Sequence, residues 1–233
     1  MNTRYQLFGL WSGIAFFFLF WLACVSLSGF VPPPSPTLTG QELLVLYQQH
    51  LFGIHLAMMV AMLAALLLVP WSTVLSMQMA RIEGPMPMMS ITAFGAGVAN
   101  AVAFYLPFVF WSAGTYRMDR SPELVLMLSD MAWLEFVMLY APFALQTIAI
   151  AIVGLGDKSA TPTFPRWFCF LSIWTTILVL PGGFAIFFKT GPFAWNGLFA
   201  FWLPVSIFCC YYAALFWLMH KAIKRQDLRS LRQ

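Results

Sequence analysis

Charged residues are scarce in this chain of 233 residues. Asp, Glu, Lys and Arg make up 9% of it, whereas hydrophobic residues make up 61%. An average soluble domain has about 25% charged residues. We therefore exclude a water-soluble fold and expect lipid to be the main solvent. A transmembrane helix needs about 20 apolar residues, so the chain has room for roughly six or seven spans in one bundle, without a separate soluble domain.

Cysteine and histidine are also few, with four and three residues. The cysteines are Cys24, Cys169, Cys209 and Cys210. They form no C-x-x-C pair and fall in apolar runs, where cysteine behaves as a small hydrophobic residue. We expect neither a disulfide framework nor a zinc site. His50 and His55 are five residues apart, about 140° around a helix, which places them poorly for one shared metal or haem. We therefore predict no cofactor and no metal.

Catalytic motifs are missing as well. The sequence has no G-x-S-x-G, P-loop, H-E-x-x-H or dinucleotide-binding fingerprint. An enzyme is therefore the less favoured interpretation, and no catalytic residue is assigned. Internal repeats of the kind that build inverted-repeat transporters are not recognisable either.

Apolar runs, in contrast, are abundant. They predict six helical spans, at about 6–30, 51–76, 90–112, 122–155, 167–188 and 194–219. Between the first two, Thr39 and Glu42 have the spacing of a capping box, which predicts an amphipathic helix that leads into the second span. A loop is predicted over 77–90. The predicted fold class is therefore an all-α integral membrane bundle of six transmembrane helices.

Small residues and prolines modify these helices. Small residues four apart predict close helix packing, at Gly9 and Gly13 in the first span and in similar seams of the second and third. Pro70 predicts a kink in the second span. Pro142 and the sequence Pro181-Gly182-Gly183 predict interruptions in the fourth and fifth spans.

Basic residues predict the orientation. With the N-terminus in the cytoplasm, Arg4, Arg81, Lys158, Arg166 and the five basic residues after position 220 lie inside, and only Arg117, Arg120 and Lys189 lie outside. Both termini are therefore predicted to be cytoplasmic, with a transmembrane domain over 1–220 and a basic cytoplasmic tail over 221–233. Beside a hydrophobic segment, such a tail indicates topology rather than nucleic-acid binding.

The stretch from Thr115 to Gln146 is the best candidate for a functional site, because it holds half of the eight acids. Glu135 lies within an apolar run, where an ionised carboxylate is costly. Glu135 and Gln146 are predicted to share one helix face that points into the bundle. The carboxylate either binds a ligand or handles protons, or it forms a structural ion pair with Arg117, Arg120 or Lys189.

Further polar residues are predicted at the same membrane level as Glu135. The candidate ligand-binding residues are Glu135, Asp130, Gln146, His55, Arg117, Arg120, Asn100 and Asn196. Arg117 and Arg120 would bind an anionic group, or else belong to a solvated turn with local ion pairs. Asn100, Ser172, Thr175 and Thr176 are predicted to form hydrogen bonds between helices.

Three segments of the sequence resemble a group of bacterial membrane proteins. The run FPRWFCFLSIWTTILVLPGGFAIFFKTGPFAWNGLFAFWLP, residues 164–204, resembles the C-terminal signature of a group of six-span bacterial inner-membrane proteins of unknown function. PWSTVLSMQMARIEG and RMDRSPELVLMLSDMAWLEFV are similar to that group as well. The resemblance implies a location in the bacterial inner (plasma) membrane, and it implies no site residue.

The leading functional hypothesis is a membrane protein that binds, or helps to move, a small hydrophobic or amphipathic molecule through an outward-facing polar cavity near Glu135. One alternative is a structural subunit of a membrane complex. Another is an integral-membrane enzyme that uses Glu135 or Asp130 as acid or base. The expected partners are the lipid bilayer, a hydrophobic small molecule, and a membrane-protein partner or second copy of the chain, but no nucleic acid.

Overall fold

Helices make up all the regular structure in residues 3–230, the part of the chain that the computed structural model describes; side chains are described up to residue 226. The helices are α1 (Thr3–Leu27), α2 (Gly40–Gln49), α3 (Leu51–Glu83), α4 (Met88–Thr115), α5 (Pro122–Gly156), α6 (Arg166–Phe187) and α7 (Leu198–Gln226, continuing to Ser230). All except α2 are long and apolar enough to cross a membrane. This confirms the six predicted spans and supports a multi-pass membrane protein.

Two spans, the second and the sixth, have predicted boundaries that are wrong by more than one helical turn. The loop expected over 77–90 is mostly helix, because Gln78 and Met79 are buried against the bundle and keep α3 regular as far as Glu83. Gly84, with φ of 93°, ends the helix there. The last span begins at Leu198 instead of 194, since a tight turn precedes it. It then continues through the first ten residues of the predicted tail, and Arg232 lies outside the described residues.

Local sequence signals account for α2. Thr39 caps it with a complete capping box: the Glu42 N–H donates to the Thr39 hydroxyl at 3.3 Å, and the Thr39 N–H donates to the Glu42 carboxylate at 2.8 Å. The helix packs on α5 and ends at His50, so α2 and α3 are separate helices, and not the single helix that the sequence predicts.

The bundle is organised around α4, which packs along most of its length against α3 and α5. Helix α1 packs on α3 and α7, and α6 packs on α5 and α7, which closes the ring. The glycine seams allow this close packing, as predicted. A Cβ atom added to Gly9 would lie 2.7 Å from the Pro70 carbonyl oxygen, and one added to Gly13 would meet the Trp71 ring.

Proline interrupts α3 and α5 at the expected distance along the chain. A proline in a helix lacks an N–H and its ring clashes with the carbonyl four residues earlier. Pro142 is four residues after Met138, and α5 is interrupted at Met138 and Leu139. Pro70 is four residues after Leu66, and α3 is interrupted at Leu67. The predicted interruption at Pro142 is therefore confirmed, and α3 is interrupted in the same way about one turn before Pro70.

Candidate functional site

Four helices lose regular α-helical geometry within, or directly after, the residues that line one apolar cavity. Helix α1 becomes a π-helical turn at Leu22–Leu27, and α5 is interrupted after Val137. Helix α6 becomes 3₁₀-helical at Leu180–Phe187, and α7 begins with a π-helical turn at Leu198–Trp202. We call this level of the bundle the break layer. Such irregular turns are frequent at functional sites.

The cavity has a volume of about 80 Å³. Its fourteen lining residues come from five helices and, apart from the Tyr140 hydroxyl, are hydrocarbon or aromatic. They are Phe20, Trp21, Phe104, Phe136, Val137, Leu139, Tyr140, Phe143, Val179, Ala200, Phe201, Pro204, Val205 and Phe208. Trp21, Pro204 and Val205 are partly exposed, so the cavity communicates with the surroundings of α1 and α7.

The broken segments touch one another through glycine. A Cβ atom added to Gly182 would lie 2.6 Å from the carbonyl oxygen of Val137 in α5 and 3.7 Å from that of Ala200 in α7. At Gly183 an added Cβ atom would lie 2.7 Å from the Tyr140 ring. The Pro181-Gly182-Gly183 sequence thus interrupts α6, as predicted, and also lets it contact the interruption of α5.

Glu135, the leading candidate from the sequence, lies beside the cavity without lining it. Its side chain is half-buried and directly precedes the lining residues Phe136 and Val137. Among the described residues, no side chain forms a hydrogen bond or ion pair with its carboxylate. A polar cavity around Glu135 therefore stays a prediction, and the cavity next to this segment is apolar.

Gln146 and Asn100 come together at the α4–α5 interface. Asn100 donates to the Gln146 side-chain oxygen at 3.4 Å, and Gln146 donates to the Ala93 carbonyl at 3.0 Å. Gly97 makes room for this pair, because an added Cβ atom would lie 2.7 Å from the Gln146 amide nitrogen. Both side chains are buried, and the Asn100 side-chain oxygen lacks a partner within the described part of the chain. The pair joins two helices, and the α5 interruption separates it from Glu135.

Asp130 belongs to a different group, at the end of the bundle that carries α2. It lies close enough to Lys189 for the two charges to interact, and its carboxylate is also near the Tyr47 hydroxyl. Tyr47 is buried, its hydroxyl is 2.8 Å from the Ser129 hydroxyl, and burial raises its pKa. This arrangement ties α2 to α5.

His55 and Arg120 both contact the C-terminal end of α4. Arg120 donates to the Ala113 carbonyl at 2.8 Å, and the His55 Nε2 atom is 3.3 Å from the Thr115 carbonyl oxygen. Positive groups are favoured at this end of a helix. Arg117 is exposed and its guanidinium lies 5.9 Å from the Tyr116 ring centre, while Asn196 is half-buried in the 188–197 segment. The predicted site residues are therefore distributed over several places.

Three of the four predicted interhelical polar residues do bridge helices. Asn100 joins α4 to α5, as described above. The Ser172 hydroxyl is 3.1 Å from that of Tyr211, and the Thr176 hydroxyl is 2.7 Å from that of Thr147. The prediction is wrong for Thr175, whose buried hydroxyl has no partner among the described residues.

A closed ring of three glutamines escaped the sequence reasoning. Gln78 donates to Gln6 at 2.6 Å, Gln6 to Gln226 at 3.2 Å, and Gln226 back to Gln78 at 2.8 Å. The ring joins α1, α3 and α7 at the end of the bundle where α1 begins, and Gln6 and Gln78 are buried. One signal was available: each glutamine lies near the same predicted membrane face, within or just beyond an apolar helix.

Comparisons with protein-family models, with curated proteins and with solved structures found no match. Within residues 3–226, no three or more His, Cys, Asp or Glu side chains come together in a way that would hold a metal ion. The cavity at the break layer is therefore the feature of the described residues that best supports a functional role.

Proposed function

We propose that this chain is a bacterial inner-membrane protein that binds, or helps to move, a small hydrophobic or amphipathic molecule in the cavity at the break layer. In this proposal both termini lie in the cytoplasm, since most basic residues lie at that end of the bundle. The observation that carries the proposal is that one apolar cavity is lined by the irregular segments of α5 and α7 and by residues that directly precede the irregular segments of α1 and α6.

Irregular backbone inside a membrane needs a reason. In hydrocarbon, each unsatisfied N–H or C=O group costs several kcal/mol, so breaks occur where protein buries them or where they line a cavity. Interrupted helices are also a recognised indicator of binding sites in transporters. Here the Val137 carbonyl faces Gly182, and a cavity adjoins both segments. The arrangement therefore supports a site more strongly than a single proline kink would.

The lining favours a hydrocarbon occupant. Burial of apolar surface contributes about 25 cal/mol per Å². The aromatic walls offer such surface, whereas Tyr140 supplies the one hydroxyl. A cavity of about 80 Å³ suits a slender group such as part of an alkyl or isoprenoid chain. Glu135 remains the candidate for contact with the polar end of an amphipathic molecule, because it directly precedes Phe136 and Val137.

Filling the cavity tests the proposal. Ala200 is buried in the cavity wall, so Ala200→Leu would place three more carbon atoms in that space. Ala213, exposed on the same helix, provides the matched control Ala213→Leu. The probe is a long-chain fatty acid with a diazirine on its alkyl chain, and labelled peptides are identified by mass spectrometry.

We expect the probe to label the cavity-lining segments of α5 and α7 in the wild type and in Ala213→Leu. In Ala200→Leu the labelling of these segments should be at least about tenfold lower. Equal labelling of the two variants would refute the cavity as the site. Glu135→Gln then tests the polar end: it should weaken the labelling by a long-chain alkylamine that carries the same diazirine, but not the labelling by an uncharged alkane probe.

No specific observation supports either of the two alternative functions that the sequence suggests. The small-residue seams that motivate a subunit of a larger complex pack inside the chain, as at Gly9 and Gly97. An enzyme would need acid and base groups in contact with one substrate. Glu135 and Asp130 are five residues apart, about 140° around α5, so they face different directions.

A further inference from the structure

A basic groove lies at the end of the bundle that begins α1 and ends α7. It has a volume of about 440 Å³ and lies between the end of α3, the 156–163 segment and the end of α7. Arg81, Lys158 and Arg225 line it, one from each of these parts of the chain. Cations that are far apart in the sequence thus converge on one concave surface.

The acid in the groove belongs to the loop that carries Lys158. Asp157 is the one carboxylate among the described lining residues, and both of its oxygens accept backbone N–H groups of its own loop. Ser159 donates at 2.9 Å and Thr163 at 3.3 Å. The described lining residues are thus three cations and one carboxylate, and Asp157 holds in place the loop that carries Lys158.

The glutamine ring fixes the other wall. Arg81 donates to the Gln78 side-chain oxygen at 3.2 Å, and Gln226, a member of the same ring, lines the groove. The ring thereby fixes the position of Arg81 relative to the α7 residues near Gln226. Arg225 directly precedes Gln226, and an arginine placed in this way is suited to phosphate, because its planar guanidinium can donate two parallel hydrogen bonds.

A second groove of about 320 Å³ continues from the first, and the two share Arg225 and Thr163. Its lining adds Lys221, Trp167 and Trp217. The Lys221 ammonium lies 5.0 Å from the Trp217 ring centre, and both tryptophans are about half exposed. Exposed tryptophan beside cations is typical of the headgroup level of a bilayer.

We propose that these two grooves form one binding site for an anionic phospholipid. Lys158 and Arg225 take the phosphate of the headgroup, and the glycerol and the start of the acyl chains lie along Trp167 and Trp217. Basic pockets between transmembrane helices bind anionic headgroups in this way. The continuity of basic and aromatic surface favours a lipid over a free phosphate ion. The phospholipid site is separate from the cavity at the break layer, and the two proposals do not depend on each other.

The test measures lipid binding to the purified full chain in detergent by native mass spectrometry. The probes are cardiolipin, phosphatidylglycerol and, as an uncharged reference, phosphatidylcholine, each also in the presence of inorganic phosphate. The variant is Lys158→Gln combined with Arg225→Gln. The matched control is Lys189→Gln, which removes a cation at the opposite end of the bundle. Lys158→Arg with Arg225→Lys keeps the charge and reports on folding.

Each cation near a membrane surface contributes about a fivefold gain in affinity for anionic lipid. We expect the double Gln variant to bind both anionic lipids about 25-fold more weakly. Lys189→Gln and the charge-preserving variant should bind as the wild type does, and inorganic phosphate should not displace the lipid. The proposal is overturned if the double Gln variant binds normally, if Lys189→Gln loses as much affinity, or if inorganic phosphate competes and so identifies a small-anion site.

Discussion

Substituting Gly182 by alanine tests the contact between the broken segments of α5 and α6. The added Cβ atom would lie 2.6 Å from the Val137 carbonyl oxygen, closer than real Cβ contacts come. That oxygen belongs to the backbone, so the clash is relieved only if α5 or α6 moves. Such overpacking costs about 1–3 kcal/mol. Because the φ angle of Gly182 is not in the positive range, alanine regains about 0.4–1 kcal/mol by restricting the unfolded chain.

The net expectation for Gly182→Ala is a loss of about 1–2 kcal/mol of unfolding free energy. Gly95 provides the matched control, because it is an exposed glycine within α4 and an added Cβ atom there meets no atom within 4 Å. Gly95→Ala should therefore stabilise the protein by about 0.4–1 kcal/mol. The two variants carry the same chemical change and are predicted to have opposite signs.

Equilibrium unfolding in mixed micelles of a mild detergent and dodecyl sulfate, followed by circular dichroism, measures both changes. Labelling by the diazirine fatty acid gives a second readout, since movement of α5 or α6 reshapes the cavity wall at Val137. We expect Gly182→Ala to lower labelling and Gly95→Ala to leave it unchanged. If both variants are equally stable and equally labelled, the packing of α6 against the α5 interruption is wrong.

Three further predictions concern the glutamine ring, the α5 interruption and the cap of α2. Gln6→Leu and Gln78→Leu should couple by about 0.5–2 kcal/mol in a double-mutant cycle of unfolding, because either change opens the ring; additive effects would contradict it. Pro142→Ala should let α5 become continuous and lower diazirine labelling of the cavity, and unchanged labelling would show that the interruption does not depend on the proline. Hydrogen bonds from the Thr39 N–H and hydroxyl lower the pKa of Glu42 below its ordinary value. Their stabilisation of α2 is therefore full above that ordinary value and is lost as pH falls through the lowered pKa. Hydrogen exchange of α2, corrected for intrinsic rates, should show this loss in the wild type but not in Glu42→Gln, whose side chain does not titrate.

Local rules predict most of the fold. The capping box at Thr39 and Glu42 needs residues only three positions apart, and each span is visible as an apolar run. The glycine seams and the interruptions at Pro142 and Pro181 likewise follow from backbone chemistry within about one turn. These features could be predicted because the residues that cause them are neighbours in the sequence.

The candidate site was less accessible, because its members meet only in the folded bundle. Glu135 was chosen as a candidate because a charge in an apolar run is costly. The cost of a charge does not indicate where space remains between helices. The cavity instead depends on how residues within or beside the interruptions of four helices come together in the bundle. The glutamine ring joins residues more than 200 positions apart, between Gln6 and Gln226, and no periodicity within one helix reveals it.

The two ends of the bundle are held together differently from the break layer between them. At one end the glutamine ring joins three helices, and Glu83 accepts the N–H groups of Met89 and Ser90 at the start of α4. At the other end Tyr47 bonds to Ser129. The contacts at Gly182 and Gly183 in the break layer are instead packing contacts between irregular segments. Packing contacts of this kind shift when the volume of the enclosed cavity changes, whereas the hydrogen bonds at the two ends of the bundle keep the helices there in place. An occupant of the cavity would therefore act first on the geometry of the breaks, which is why the proposed function and the Gly182→Ala prediction share one readout.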